Sequence, residues 1–439
     1  METWISQRIF GRPGHELTPE DIRRYQLDKL KTLIDHARDR SPFYREHLRG
    51  MSSKDLHDVA DLSAFPLTTV EDLQISGNRF LCVSQSEVER VVSLQLPDRP
   101  ETLRRIYFTG HDLERTIDFF HHGMTTVVHP GQRVLILMPG DRPGSVGDLL
   151  AKGLGRSAVQ GFVHGIVHDP AMAIREIVDK EIDCLVGIPT QILALARHEN
   201  ADAIPAGRIS SVLLSADYVP SAVVNELQRM WGCRVFSHYG TTEMGFGGSV
   251  DCEASAGYHV READLLFEIV DPASARPLPE GQQGEIVFTT LTREAMPLIR
   301  YRTGDLSGFL PDPCPCGTVL KRLGKVRGKV NEMIRLRSGD WLGIADLDEV
   351  LFALPGIVNY LALLTRGHDM DRLEVAIHTG SHAKQPGQEG ILGTLKRVPA
   401  IAHATETRTL ILEPIRFSKE DWITTGAAKR SIVLKHEQE

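Results

Sequence analysis

Cysteine is scarce: Cys82, Cys184, Cys233, Cys252, Cys314 and Cys316 are the 6 in 439 residues. That is too sparse for the disulfide framework of a small secreted scaffold. Also missing is any run of about 18 to 20 apolar residues, which a membrane-spanning helix needs. The opening stretch METWISQRIFGRPG has no apolar signal core, so a cytoplasmic location and no membrane partner are expected. Positive charge is not in excess either. The formal net charge is -8, which argues against a broad phosphate-backbone footprint and against nucleic acid as a partner. Internal repeats and low-complexity segments are absent. What is present is a globular composition, 41% hydrophobic and 25% charged, in a chain too long for one ordinary core. Two domains are expected.

Residues 17–48 carry helical periodicity, with Leu27, Leu30, Leu33, Ile34 and Ala37 on one face before SPFY breaks it. Further on, short apolar runs alternate with helical stretches: RVLILMP then SVGDLLAKGLG, AVQGFVHG then PAMAIREIVDK, DCLVGIP then TQILALARH, SSVLLSA then SAVVNELQRMW, and finally RVFSHYG. Such alternation predicts parallel or mixed sheets flanked by helices, with ligands at the strand C-termini. Residues 260–310 read instead as antiparallel strands linked by the turn RPLPEGQQG. After 328 a new unit begins, with ADLDEVLFALPGI as a helix and NYLALLTR, RLEVAIHTG and TRTLILEP as strands. The fold class expected is therefore α/β. A large N-terminal domain over 1–328 combines flanked parallel or mixed sheets with an antiparallel β region, and a small mobile α+β domain covers 329–439.

Two segments carry chemistry. YGTTE, Tyr239 to Glu243, follows an apolar strand and combines an aromatic ring, a tight glycine turn, two hydroxyls and a carboxylate. Those are parts for stacking a base and holding a metal-phosphate unit. YRTGD, Tyr301 to Asp305, sets a carboxylate after a glycine turn, where it can grip a ribose diol. Each alone is equally an ordinary surface turn.

Their order and spacing, with GKVNEMIRLR at 328–337, resemble the core motifs of adenylate-forming enzymes, which activate a carboxylate as an acyl-AMP and pass the acyl group to a thiol. The closer resemblance is to phenylacetate-CoA ligases. It is carried by LKTLIDHARDRSPFYREHL at 30–48, FPLTTVEDL at 65–73, RIYFTGHDLERTIDFF at 105–120 and PLIRYRTGDL at 297–306, and it spans nearly the whole chain. It implies that the large domain holds nucleotide and acyl group while the small one rotates between half-reactions. By the same resemblance Ser215, Ala216 and Asp217 line an adenine pocket that Tyr239 faces, with Gly240, Thr241 and Lys329 in the nucleotide set. Asp305 binds the ribose hydroxyls, Glu243 holds Mg²⁺ and acts with Thr242 in catalysis, and Ile188, Pro189 and Thr190 lie beside the acyl pocket.

The departures from that pattern fall on the handling of ATP. Where the family has a Ser/Thr/Gly-rich loop that wraps phosphates, this chain has SLQLPDRPETLR at 93–104. It has no glycine, Pro97 and Pro100 lack N–H donors, and Asp98 and Glu101 repel phosphate. The hinge pattern Gly-Arg-x-Asp-Asp becomes Gly328, Lys329, Val330, Asn331 and Glu332, and Lys329 cannot reproduce an arginine fork. The C-terminal Gly-Lys-Ala-x-Arg becomes Gly426, Ala427, Ala428, Lys429 and Arg430, so the adenylating lysine is out of register. Lys429 is its candidate replacement, since two residues along a strand restore the same face about 7 Å away.

Cys252 and His259 form one pair and Cys314 and Cys316, in PCPCG, another; together they make a Cys₃His set suited to structural zinc. Similar cysteines in some phenylacetate-CoA ligase-like proteins support that assignment. Cys82, Cys184 and Cys233 read as core residues, and His121 and His122 as packing or pocket-lining residues. The leading expectation is a phenylacetate-CoA ligase-like protein that binds an adenylate- or CoA-type ligand, has weak or lost ATP-dependent adenylation, and transfers an acyl group from acyl-adenylate or acyl-CoA to a thiol or amine. The alternatives are a working carboxylate-CoA ligase that uses Lys429, and a non-catalytic nucleotide- or acyl-CoA-binding protein. Expected cofactors are structural zinc, an AMP- or ATP-type nucleotide with Mg²⁺, and CoA. Expected partners are a small carboxylate or acyl thioester, CoA or an acyl carrier, and a second copy of the chain as a homodimer.

Overall fold

A computed structural model describes residues 1–12, 14–96, 99–380, 386–418 and 430–436, with no side-chain description at 96 and 99–102. The chain divides into two units. The first comprises Met1–Thr126, Arg142–Ser157 and His238–Val326, and the second Val127–Asp141, Ala158–Ser237 and Arg327–Glu439. Among the described residues no helix is long and apolar enough to cross a membrane. This grouping is by packing in one conformation, whereas the bodies 1–328 and 329–439 expected above are defined by movement.

In the first unit the predicted docking helix runs Pro19–Arg40. Thr18 starts it with a reciprocal cap: its hydroxyl accepts from the Asp21 N–H while the Asp21 carboxylate accepts from the Thr18 N–H. The helix buries Ile22, Leu30, Leu33, Ile34 and Ala37 and ends where Ser41 caps the next helix, Pro42–His47. The strands Leu265–Val270, Gly284–Thr290 and Tyr301–Ser307 form the predicted antiparallel sheet, with Gly284–Thr290 in the middle. Tyr44, Phe80, Phe108, Phe288 and Tyr301 form the aromatic part of its core.

The segment 93–104, expected to be an eroded phosphate loop, lies in a β-hairpin whose residues 97 and 98 are outside the described ones. Strand Arg90–Leu96 pairs antiparallel with Arg99–Phe108, matching Ser93 with Arg105, Leu94 with Arg104 and Gln95 with Leu103.

The second unit holds a parallel ladder in the order Gln160–Val163, Arg133–Leu137, Cys184–Gly187, Ser211–Leu214 and Arg234–Tyr239. Cys184–Gly187 and Ser211–Leu214 are buried at every position, as continuous apolar runs in parallel sheets should be. Helices Pro170–Asp179, Pro189–Ala196 and Ser221–Trp231 connect them. The C-terminal part is the predicted α+β unit. Strands Ile357–Arg366 and Asp371–Thr379 pair antiparallel, Leu410–Leu412, Arg416–Phe417 and Val433–His436 join them in parallel, and helix Ile344–Leu351 precedes them. Arg197, at the end of helix Pro189–Ala196, donates to the carbonyls of Phe352 and Leu354 at 2.9 and 3.1 Å, which joins both parts of this unit.

Candidate functional site

In the first unit the two nucleotide motifs meet. Tyr239 ends strand Arg234–Tyr239, and its hydroxyl donates to Asp305 Oδ2 at 2.9 Å. Both are buried, and burial, reinforced by the Asp305 charge, raises the Tyr239 pKa well above its ordinary value of 10.0. The phenol thus stays protonated and holds one carboxylate oxygen of Asp305 in place.

After Tyr239 the chain turns tightly through Gly240 and Thr241 into the single turn Thr242–Met244. A Cβ on Gly240 would stand 2.7 Å from the Gly247 Cα and 2.8 Å from the Phe246 carbonyl oxygen, so the close return of the chain requires glycine there. Phe246 N donates to Thr241 O at 2.9 Å to close the turn. Thr241 Oγ1 is buried and has no hydrogen-bond partner among the described residues. Such a hydroxyl is suited to a bound group.

Glu243 sits in this turn with 3% of its surface exposed. Its carboxylate Oε1 lies 2.9 Å from Nη2 of Arg104 on the hairpin strand Arg99–Phe108. A second guanidinium, Arg293, donates to the Glu243 carbonyl oxygen at 3.2 Å and stacks over Phe108 at 4.5 Å. Mg²⁺, implied at Glu243 by resemblance, would meet positive charge here: the carboxylate already faces one guanidinium, in an ion pair that leaves Oε1 without a hydrogen bond, and the carbonyl of the same residue faces another. Sequence reading missed Arg104. LRRIYF offers only a pair of arginines, with nothing local to say which one points inward.

In the second unit Ser215, Ala216 and Asp217 follow strand Ser211–Leu214, and Ile188, Pro189 and Thr190 follow Cys184–Gly187. The strands are neighbours, and Ser215 N donates to Gly187 O at 3.0 Å, so both triplets lie at adjacent strand C-termini. Ala216 holds φ at +73°, a left-handed conformation uncommon for a residue with a Cβ. Asp217 Oδ1 accepts from the Tyr218 N–H at 2.8 Å, and the Tyr218 hydroxyl donates to Glu349 at 2.6 Å. Lys329 caps the short turn Val330–Glu332.

Gly426, Ala427, Ala428 and Lys429 lie outside the described residues. Arg430 is described. It donates to Asp348 Oδ1 at 2.7 Å and stands 4.6 Å over the Tyr360 ring and 5.0 Å over Phe352. The Tyr360 hydroxyl donates to the same Asp348 oxygen at 2.5 Å. The motif arginine is thereby a half-buried anchor on the buried Asp348.

The cysteine and histidine pairs also converge. One ligand atom each from Cys252, His259, Cys314 and Cys316 falls within 4.8 Å of all the others. Cys252 Sγ and Cys314 Sγ are 3.6 Å apart, and Cys316 Sγ is 3.5 Å from His259 Nε2. A tetrahedral zinc with Zn–S of about 2.3 Å sets its sulfurs about 3.8 Å apart, so the four side chains fit that ion. His259 is held in strand Tyr258–Val260, and Gly317, at φ +83°, turns the chain so that its N–H donates to Cys314 O at 2.9 Å.

Cys82, Cys184 and Cys233 are buried free thiols, as expected. His121 meets the Ser157 hydroxyl at 2.8 Å, and His122 stacks on Trp4 and faces Asp118 at 3.5 Å. Both histidines are engaged in packing contacts.

Comparison with known proteins places these features in a family context. The profile of the family described as AMP-binding enzyme matches residues 153–291. The chain is 29% identical to phenylacetate-coenzyme A ligase of Thermus thermophilus, over 90% of this chain and 91% of the relative. It is 27% identical to the phenylacetate-coenzyme A ligase of Aromatoleum evansii, over 96% of each. Among solved structures, 2-hydroxyisobutyryl-CoA ligase in the postadenylation state with 2-HIB-AMP aligns with a TM-score of 0.82 at 20% identity, covering 98% of this chain and 91% of that one.

Proposed function

Since the chain belongs to the adenylate-forming superfamily, in its phenylacetate-CoA ligase-like branch, we propose that it binds an adenylate- or CoA-type ligand but has weak or lost ATP-dependent adenylation, and that it transfers an acyl group from acyl-adenylate or acyl-CoA to a thiol or amine. One juxtaposition carries this reading. The buried Tyr239–Asp305 pair keeps the parts for an adenosine group, whereas the neighbouring Arg90–Phe108 segment, where phosphates would be wrapped, is a paired hairpin whose backbone groups face each other. Strand pairing occupies N–H donors that an anion-binding loop leaves free.

On this reading Tyr239, Gly240, Thr241 and Asp305, with Ser215, Ala216, Asp217 and Lys329, serve the nucleotide, and Ile188, Pro189 and Thr190 serve the acyl group. Thr242 lies beside Glu243 in the turn expected to act on the ligand. In transfer from acyl-AMP to a thiol, the acyl C–O bond to phosphate breaks, a C–S bond forms, AMP departs with the electron pair, and the thiol proton goes to solvent. Residues 329–439 move as the small domain, and Cys252, His259, Cys314 and Cys316 hold a structural zinc. The test is carboxylate-dependent pyrophosphate exchange set beside transfer from synthetic acyl-AMP. Transfer without exchange supports the proposal; exchange at an ordinary ligase rate refutes it.

A second reading, a working ATP-dependent carboxylate-CoA ligase, is favoured by the nearly end-to-end match to proteins named as ligases. It requires Lys429. Lys429→Ala must then abolish formation of the acyl-CoA from carboxylate, ATP and CoA.

A further inference from the structure

Glu243 is the buried carboxylate of the Tyr239–Glu243 turn, and its charge is already met. Arg104 Nη2 stands 2.9 Å from Glu243 Oε1, with side-chain exposures of 20% and 4%. The arginine is not a loose surface residue that swung inward. It belongs to strand Arg99–Phe108, where its backbone pairs with Leu94, and the strand on either side of it is held in the same ladder. Its direction is therefore fixed by the fold before any ligand arrives.

The guanidinium also has capacity left. Among the described residues, Arg104 Nε and Thr241 Oγ1 are buried without a hydrogen-bond partner, and so is Glu243 Oε1, whose contact with Arg104 is an ion pair rather than an aligned hydrogen bond. A buried N–H and a buried hydroxyl beside one neutralised carboxylate are donors suited to a phosphoryl oxygen. Arg293, on the Glu243 carbonyl, adds positive charge to the same turn.

We propose that Arg104 is the permanent cation of Glu243, taking the electrostatic place of a divalent metal, so that this site receives a nucleoside monophosphate group, free or as an acyl phosphate ester, without Mg²⁺. This rests on the adenylate-binding reading above and narrows it from nucleotides in general to metal-free monophosphates. Arg104 is a positioning and binding residue; no bond is made or broken on it.

The experiment uses the full-length, zinc-loaded chain in buffer stripped of divalent ions by resin, which avoids a chelator that would attack the cysteine site. Calorimetry measures AMP binding with and without Mg²⁺, and electron paramagnetic resonance measures Mn²⁺ binding, for wild type, Glu243→Gln, Arg104→Lys, Arg104→Met and Arg104→Met/Glu243→Gln. Wild type is expected to bind AMP equally well in both buffers and to bind no Mn²⁺ at Glu243. Arg104→Lys, which keeps the charge, should also bind no Mn²⁺.

Arg104→Met should lose AMP affinity on the order of tenfold in stripped buffer, the usual weight of a charged hydrogen bond. It should also gain one Mn²⁺ site that the added Glu243→Gln removes. A wild-type Mn²⁺ site lost on Glu243→Gln, or AMP binding that requires Mg²⁺, overturns the proposal while leaving the adenylate reading standing. If wild type binds no AMP in either buffer, the adenylate reading fails, and with it the assignment of a monophosphate ligand. The Mn²⁺ arm then decides the role of Arg104 at Glu243, where no Mn²⁺ gain in a folded Arg104→Met protein counts against it.

Discussion

Glu262 should make the protein less stable as pH rises through neutrality, and Glu262→Gln should remove that effect. The side chain is 5% exposed, and burial pushes its pKa from the ordinary 4.5 up to about 7. Two weaker influences oppose burial: Oε2 accepts from the Lys321 N–H at 3.0 Å, and the Lys321 charge lies nearby. A carboxyl whose folded pKa is raised contributes stability in its protonated form. That contribution is complete below about 4.5 and is lost as pH climbs through about 7. At about 1.4 kcal/mol per pH unit, the ionised form is about 3 kcal/mol less stable in the fold above pH 8. Glutamine keeps an acceptor for Lys321 and carries no charge. Urea midpoints of the two proteins from pH 5 to 9 should therefore coincide most nearly at pH 5, separate up to a little above pH 7 and hold that separation to pH 9, with the variant the more stable there. A separation that stays constant across this range would refute the reasoning.

Arg300 donates to both oxygens of Glu268 at 2.9 and 3.1 Å and to the carbonyls of Ser63 and Phe65; Arg300→Leu should cost about 2 to 4 kcal/mol in urea unfolding, because it leaves a half-buried carboxylate and two carbonyls unmatched. Cys314→Ser should lower zinc, measured by a colorimetric release assay, from about one ion per chain to near none, with a lower melting temperature, since three ligands hold zinc poorly. Arg430→Met should destabilise the protein by about 3 kcal/mol, and adding Asp348→Asn should recover part of that loss in a double-mutant cycle, because the second change removes the stranded charge.

Much of the fold was legible because its signals are local. The apolar face of Leu30, Leu33, Ile34 and Ala37, the SPFY break after Arg40, the all-apolar runs Cys184–Gly187 and Ser211–Leu214 and the C-terminal βα pattern each declare themselves within a few residues. The cysteine and histidine cluster was legible because both pairs are close in sequence and only their meeting was left to the fold. Tyr239 and Asp305 were expected to act on one ligand, and their direct hydrogen bond is a detail that spacing does not carry. The hairpin Arg90–Phe108 was missed for a physical reason. Prolines and acids at its tip read as a damaged loop, and the short alternation in SLQL competes with them. Arg104 was missed because its partner is set by tertiary packing. So was the joining of 327–439 with 127–141 and 158–237, which depends on contacts such as Arg197 with the Leu354 carbonyl.

The hairpin and Arg104 are better understood as one change than as two. A glycine-rich loop presents free N–H groups to phosphate and leaves a nearby carboxylate open to a divalent ion; a paired strand withdraws the N–H groups and, every second residue, points a side chain across instead. Here that side chain is Arg104, and it reaches Glu243. Electrostatics sets the two arrangements in competition. A divalent ion about 4 Å from a fixed guanidinium is opposed by about 8 kcal/mol at the effective dielectric of a protein surface, twice the figure for two unit charges. The carboxylate attracts both cations, so the guanidinium weakens a metal's hold on Glu243, and Arg293 on the carbonyl of the same residue adds to that. On the proposed reading, a triphosphate brings more charge than Arg104 and Arg293 can meet without a phosphate-wrapping loop and a metal, whereas a monophosphate asks less of them and of the Thr241 hydroxyl. On that reading, loss of ATP handling and retention of an adenylate site would both follow from the same strand.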